Sequence, residues 1–268
     1  MGWDERADHA PAPLTEQGRK DADVFDALGS RPRVRILELL AVRPMSVPEL
    51  EKELRFPRVT LRYHLSVLLG QGLVEEATRE GPRRVGRPAR LYRATRRAVV
   101  TGYPRRRFDL IGELALATLV REVGESRACE GLRKRGQEIG EAMVRDVGTR
   151  ALVTRWTPEE FERVVLAGHF RAEGAPTEVV ARSRDEITYR SSHCPFLELA
   201  EKMPHLVCDA LDVGYHEGVD RGLGGVRTER LACMAHGAPY CEYRMLWPAR
   251  ARKGRPRRVS RAITPATG

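Results

Sequence analysis

Apolar and polar residues recur along this chain with a period that changes from segment to segment, and the period predicts the elements. In RPRVRILELLAV, Val34, Ile36, Leu37, Leu39 and Leu40 share a helical face. Pro44 ends that helix, and ADVFDALGS before it reads as a shorter one closing near Gly29. Ser46 and Glu49 stand at capping-box spacing, and Pro48 suits a first turn, so SVPELEKEL is predicted as a short helix. Leu61, Leu65 and Leu68 repeat at helical spacing up to the breakers Gly70 and Gly72. Beyond Leu73 and Val74, EEATREGPRRVGRPARLYRAT predicts two short strands around a basic Gly/Pro-rich loop.

From residue 104 to 147 the period is again helical. Leu110, Ile111, Leu114, Leu116 and Leu119 mark one helix, and Ala128, Leu132, Ile139 and Met143 a second. TPEEFERVVLAGHF predicts a helix capped by Thr157 with Glu160. TEVVARSRDEITYRSS alternates as two strands about Arg184–Asp185. CPFLELAEKM and CDALDVGYHEGVDRGLG then read as helices that begin at or beside Cys194 and Cys208. VRTERLACMAHGAPYCEYRMLW reads as two strands joined through HGAP. The fold class is therefore α+β, divided into a flexible start at 1–21, a small helical and hairpin unit at 22–97, linking and dimerisation helices at 98–150, an α+β domain at 151–248 and a tail at 249–268.

Helices, a short turn, a helix and a hairpin, in that order, make a winged helix-turn-helix, whose second turn helix enters the DNA major groove. Here that helix spans about 58–70. Its apolar face turns inward, leaving Arg58, Thr60, Arg62, Tyr63 and Ser66 for DNA, with His64 either on phosphate or packed. Arg83, Arg84, Arg87 and Arg90 would line the wing. RYHLSVLLGQGLVEE followed by GRPARLY resembles the ArsR-like winged-helix regulators, and more closely the branch that holds the repressors of iron–sulfur cluster assembly operons. The resemblance covers about 22–97. It departs from the metal-sensing ArsR proteins, whose thiol ligands lie on the helix that is SVPELEKEL here, without cysteine.

Four of five cysteines, Cys194, Cys208, Cys233 and Cys241, fall in the C-terminal domain, separated by thirteen, twenty-four and seven residues. None of these gaps is the C-x2-C of ferredoxins or zinc ribbons. Cys194 and Cys208 at helix starts would meet free N–H groups and a positive dipole end, which favour thiolate. The region is similar to the sensor half of the iron–sulfur assembly repressors, and the Cys233, Gly237, Cys241 spacing to small sensor domains related to 4-vinyl reductase. That likeness implies an iron–sulfur cluster on the four thiols. A zinc site, with His193, His205 or His236 as possible helpers, is the alternative, and buried thiols around an organic-ligand pocket a third. A thiol enzyme with Cys194 as nucleophile is the rival from another class, but no Ser/His/Asp order, phosphate loop or HExxH accompanies it, so no catalytic residue is assigned. Cys129 reads as a small buried hydrophobe, and His169 and His216 as structural or surface residues.

The net charge of +10 sharpens the picture. Residues 1–100 carry +5 (19 basic, 14 acidic), residues 101–248 carry −2 (21 against 23), and residues 249–268 carry +7 (7 against none). Basic ends and a near-neutral middle suit a chain whose ends meet phosphate. In the tail, Gly254, Arg255 and Pro256 flanked by Lys253, Arg257 and Arg258 resemble an AT-hook for the minor groove, against the blander reading of a phosphate tether. No secretory leader and no membrane span are read, so the expected setting is the cytoplasm, where thiols stay reduced. The expectation is a double-stranded-DNA-binding transcriptional regulator, a homodimer because paired half-sites need two-fold protein symmetry.

Overall fold

The computed structural model of the protein describes residues 16–77, 90–95 and 107–248. Arg83, Arg84 and Arg87 of the expected wing, and Arg255 with the rest of the basic tail, lie outside the described residues.

The N-terminal unit holds α1 (Glu16–Leu28), α2 (Arg31–Val42), α3 (Val47–Leu54) and α4 (Arg58–Gly70). Helix α1 begins ahead of residue 22, where ordered structure was expected to start. Three strands, β1 (Met45–Ser46), β2 (Val74–Ala77) and β3 (Leu91–Ala94), pair antiparallel in the order β1-β3-β2. The residues singled out by helical spacing, Ile36, Leu40, Leu61, Leu65 and Leu68, are enclosed in one core together with Leu50. The start of α3 is held as its sequence predicts. The Ser46 backbone N–H and hydroxyl both donate to the Glu49 carboxylate, at 2.7 and 2.6 Å. Burial works against that carboxylate's charge, but the bonds from Ser46 outweigh it and hold its pKa below the ordinary value. Arg55, at φ 57°, takes the left-handed conformation that closes α3 and turns the chain into α4.

The second unit opens with α5 (Phe108–Val123) and α6 (Glu125–Arg150), broken at Gly124. Helix α6 is not a free linker: its C-terminal half sends Met143, Val144 and Val147 into the C-terminal core. Helix α7 (Pro158–Phe161), capped by the Thr157 hydroxyl accepting the Glu160 N–H, runs on into the π-helical Glu162–Phe170. Strands β4 (Thr177–Arg182) and β5 (Glu186–Ser191) form the expected hairpin. Next come α8 (Leu197–Lys202), α9 (Pro204–Leu206), the π-helical Val207–Asp212 and α10 (Val213–Gly222). Strands β6 (Arg227–Ala232) and β7 (Cys241–Leu246) complete an antiparallel sheet of order β4-β5-β7-β6. The whole is α+β, as expected. Phe161, Val165, Ile187, Tyr189 and Met245 are sealed between the sheet and the helices.

Helices α6 and α10 cross at backbone contact. Gly136 and Gly140 face Gly214 and Gly218, and a Cβ at Gly140 would sit 2.1 Å from the Tyr215 carbonyl oxygen. No helix among the described residues is long and apolar enough to cross a membrane.

Candidate DNA-reading face and thiol cluster

Helix α4 buries Leu61, Leu65 and Leu68 and thereby turns Arg58, Arg62, Tyr63 and Ser66 outward, with Thr60 half-buried among them. Together with the foot of the wing it borders a cleft of about 520 Å³ that Arg62, Ser66 and Arg90 line. Arg58 is held by Glu51 of α3 at 2.7 Å, and Arg90 by Glu76 across the wing strands at 2.8 Å. Both pairs are exposed and weak, so a phosphate can displace either carboxylate. The Ser66 hydroxyl donates back to the Tyr63 carbonyl. His64 is turned differently from its neighbours. Its ring is half-buried with Nδ1 enclosed and unpartnered, and burial, with Arg33 nearby, lowers its pKa. A neutral, inward imidazole fits packing better than phosphate contact. Val59, which the sequence reading passed over, is 77% exposed beside Arg58.

The four cysteines of the C-terminal domain come from four different segments and meet. Cys194 lies in the loop after β5, Cys208 in the π-helical segment, Cys233 after β6, and Cys241 at the start of β7. Cys208, Cys233 and Cys241 lie in one buried core with Cys194 packed against it, and Cys233 is near enough to act on each of the other three. Two backbone groups serve the cluster. The Phe196 N–H donates to Cys194 Sγ and the Met234 N–H to Cys241 Sγ, both at 3.4 Å. Cys129 stands apart, half-buried against the His205 carbonyl.

The expectation that helix starts would favour thiolate is corrected. Helix α8 begins at Leu197, after Cys194, and the helix carrying Cys208 begins at Pro204, so Cys208 lies in its second turn, away from the free N–H groups. Burial then dominates. It raises the pKa of Cys194 despite the Phe196 N–H, and raises Cys208 further with Cys233 beside it. Cys241 is pushed up to about 12 by burial, with only the Met234 N–H acting the other way. Asp212, missed in the sequence reading, adds negative charge to all three. Its carboxylate accepts the Tyr243 hydroxyl at 2.9 Å and lies 3.7 Å from Arg230, which also binds the Cys208 carbonyl. Only its position one helical turn after Cys208 could have suggested it.

Among the described residues no three His, Cys, Asp or Glu side chains are grouped so as to hold a metal ion. Of the histidines weighed as helpers, His205 faces Glu125 at 3.6 Å and His236 faces Asp209 at 3.1 Å. His216 is structural: it is buried, stacked on Tyr243 at 4.2 Å, and bonded to the Tyr189 hydroxyl.

Residues 31–76 match the model of the family described as bacterial regulatory protein, arsR family. An HTH-type transcriptional regulator from Methanocaldococcus jannaschii is 39% identical over 67 residues, which are 25% of this chain and 74% of that protein. Among solved structures, a homodimeric winged helix-turn-helix DNA-binding domain from Mycobacterium bovis, a possible ArsR-family regulator, aligns at 25% identity and TM-score 0.25, over 42% of this chain and 91% of that one. The phenol-responsive sensory domain of the transcription activator PoxR aligns at 17% identity and TM-score 0.38, over 71% and 91%.

Proposed function

The chain belongs to the ArsR family of bacterial regulatory proteins, and on that footing we propose that this DNA-binding transcriptional regulator takes its signal as a metal centre on Cys194, Cys208, Cys233 and Cys241. One observation carries the reading: four thiols, far apart in sequence and on four segments, gather at one buried place. Their donor set is all sulfur, which suits soft or borderline metals. A bound ion would turn the gathered thiols into ligands, replacing their protons with a shared positive charge.

Two occupants fit that donor set. The packing of Cys208, Cys233 and Cys241 in one core supports a single zinc ion, which four thiolates hold in a tetrahedron. The iron–sulfur reading is supported by the Phe196 and Met234 N–H groups directed at sulfur, since such bonds set cluster potentials. Metal and acid-labile sulfide analysis of anaerobically purified protein separates them. Colourless protein with one zinc per chain supports the first; brown protein with matched iron and sulfide supports the second. Protein free of both overturns the metal centre.

Base reading falls to α4. Arg62→Ala should weaken binding to a specific duplex by about 1–3 kcal/mol while leaving metal content unchanged, measured by anisotropy at fixed salt. An effect equal on specific and random duplexes would reassign Arg62 to phosphate.

The homodimer is proposed to form through α5, none of whose residues is buried among the described residues. Ile111 and Leu114, at 61% and 53% exposed, head an apolar face that a two-fold copy would cover. Ile111→Glu with Leu114→Glu should halve the mass seen by light scattering. An unchanged mass would move the interface elsewhere.

A further inference from the structure

One contact beside the thiol cluster is explained neither by metal holding nor by DNA reading. His193, immediately before Cys194, sets Nδ1 3.1 Å from the Ala41 carbonyl oxygen and Nε2 3.3 Å from the Thr95 carbonyl oxygen. Ala41 lies in the last turn of α2, where carbonyls lack helical N–H partners. Thr95 follows β3, and its own N–H and hydroxyl donate to Leu73 and Gly72 of the winged helix. On the other side, the His193 carbonyl accepts the Ser191 hydroxyl at 2.7 Å. Ser191 is the register partner of Cys241. One residue thus stands next to Cys194, is bonded to the strand that pairs with Cys241, and touches two elements of the DNA-binding unit.

Among the described residues, another polar crossing, Arg171 to Glu38, spans 3.5 Å with both side chains exposed, a weak kind of pair. Beside His193 the boundary opens into a cleft of about 350 Å³ with Leu28, Val34 and Leu37 along it. Apolar packing therefore does not seal the boundary there. Helix α2 in turn packs on β3 and on α4, so the Ala41 and Thr95 carbonyls belong to elements in direct contact with α4 or with its neighbour.

We infer that His193 is a positioning residue that couples the thiol cluster to the DNA-binding unit. Capture of a metal by Cys194 fixes the loop that carries His193, and His193 passes that change to α2 and β3. The coupling is energetic: it exists to the extent that the metal binds one arrangement of the loop better than the other. The inference rests on the metal-centre reading above.

The test uses the full chain, zinc as the metal, and a duplex selected from a random pool by the wild-type protein. DNA dissociation constants are measured with and without zinc for wild type, His193→Ala and His193→Gln, alongside zinc stoichiometry. Wild type should show a zinc-dependent ratio of about 5- to 150-fold, the range of ordinary couplings. His193→Ala should keep wild-type zinc content but bring the ratio close to one, and His193→Gln, which retains a donor, should keep part of it. Loss of a merely structural residue would raise both constants and leave their ratio alone. A wild-type ratio in zinc-loaded His193→Ala overturns the coupling, as does loss of zinc from that variant, which would assign His193 to the metal site itself. Wild type that binds zinc without any ratio overturns the coupling and spares the metal centre. Wild type that takes up no zinc overturns the zinc centre first, and the coupling with it.

Discussion

Adding one methyl group at Gly140 should remove most of the stability of the C-terminal domain. An alanine Cβ there would lie 2.1 Å from the Tyr215 carbonyl oxygen and 2.9 Å from the Val219 nitrogen. Both are backbone atoms of the opposing helix, so no side-chain rotation relieves the clash. Gly218 presents the reciprocal case, 2.1 Å from the Gln137 carbonyl oxygen. The helices would have to separate along their whole crossing, opening voids around Val144 and Val219, both buried in the same core. Gly140→Ala should cost at least about 3 kcal/mol, read as a fall in the denaturant midpoint. Gly131 on the same α6 is the control, because a Cβ there meets nothing within 4 Å. Gly131→Ala should stabilise by about 0.5–1 kcal/mol through helix propensity alone. Equal behaviour of the two variants would refute the α6–α10 packing. Since α10 continues from the segment bearing Cys208, Gly140→Ala should also loosen metal binding.

Metal affinity should climb steeply with pH, and loss of one thiol should end stoichiometric binding. Without metal, burial holds Cys194, Cys208 and Cys241 protonated well past neutrality, Cys241 up to about 12. Ligation needs thiolates, so each thiol that binds releases a proton. The apparent association constant should then gain up to about one decade per pH unit for each proton displaced. In the metal-free chain the sign is opposite. Exposed thiols of the unfolded chain ionise near 9, whereas the folded thiols resist until higher pH. Their contribution to stability is present below that value and is lost as pH rises toward about 12. Competition with a chromophoric chelator from about pH 6 to 9 checks the first statement, and chemical denaturation of metal-free protein above pH 9 checks the second. Cys233→Ser should lower metal affinity by more than about 100-fold, beyond what losing an outer-shell partner costs. A flat pH profile together with wild-type affinity in Cys233→Ser would remove the thiols from the centre.

The winged helix was legible in detail because local rules governed it. The Ser46–Glu49 cap, the leucines of α4 and the breakers Gly70 and Gly72 each act within a turn or two, and each took the role its spacing implied. The hairpins of the C-terminal sheet followed from alternation in the same way. The charge state of the cysteines did not follow. Helix starts placed one turn off moved Cys208 from a polar end into a buried segment, and burial reversed the expected shift. Asp212 was signalled only by its place one turn after Cys208, and nothing local announces that its carboxylate takes the Tyr243 hydroxyl.

The amino-acid sequence alone determined the α+β class, helix α4 and most of its outward side chains, because helical and strand periods sort residues by face wherever a core exists to receive them. Only the tertiary structure decided that four distant cysteines share one place, that glycines weld α6 to α10, and that His193 spans the two units. Those facts depend on how separate elements cross in space, and no period within a single element carries that information.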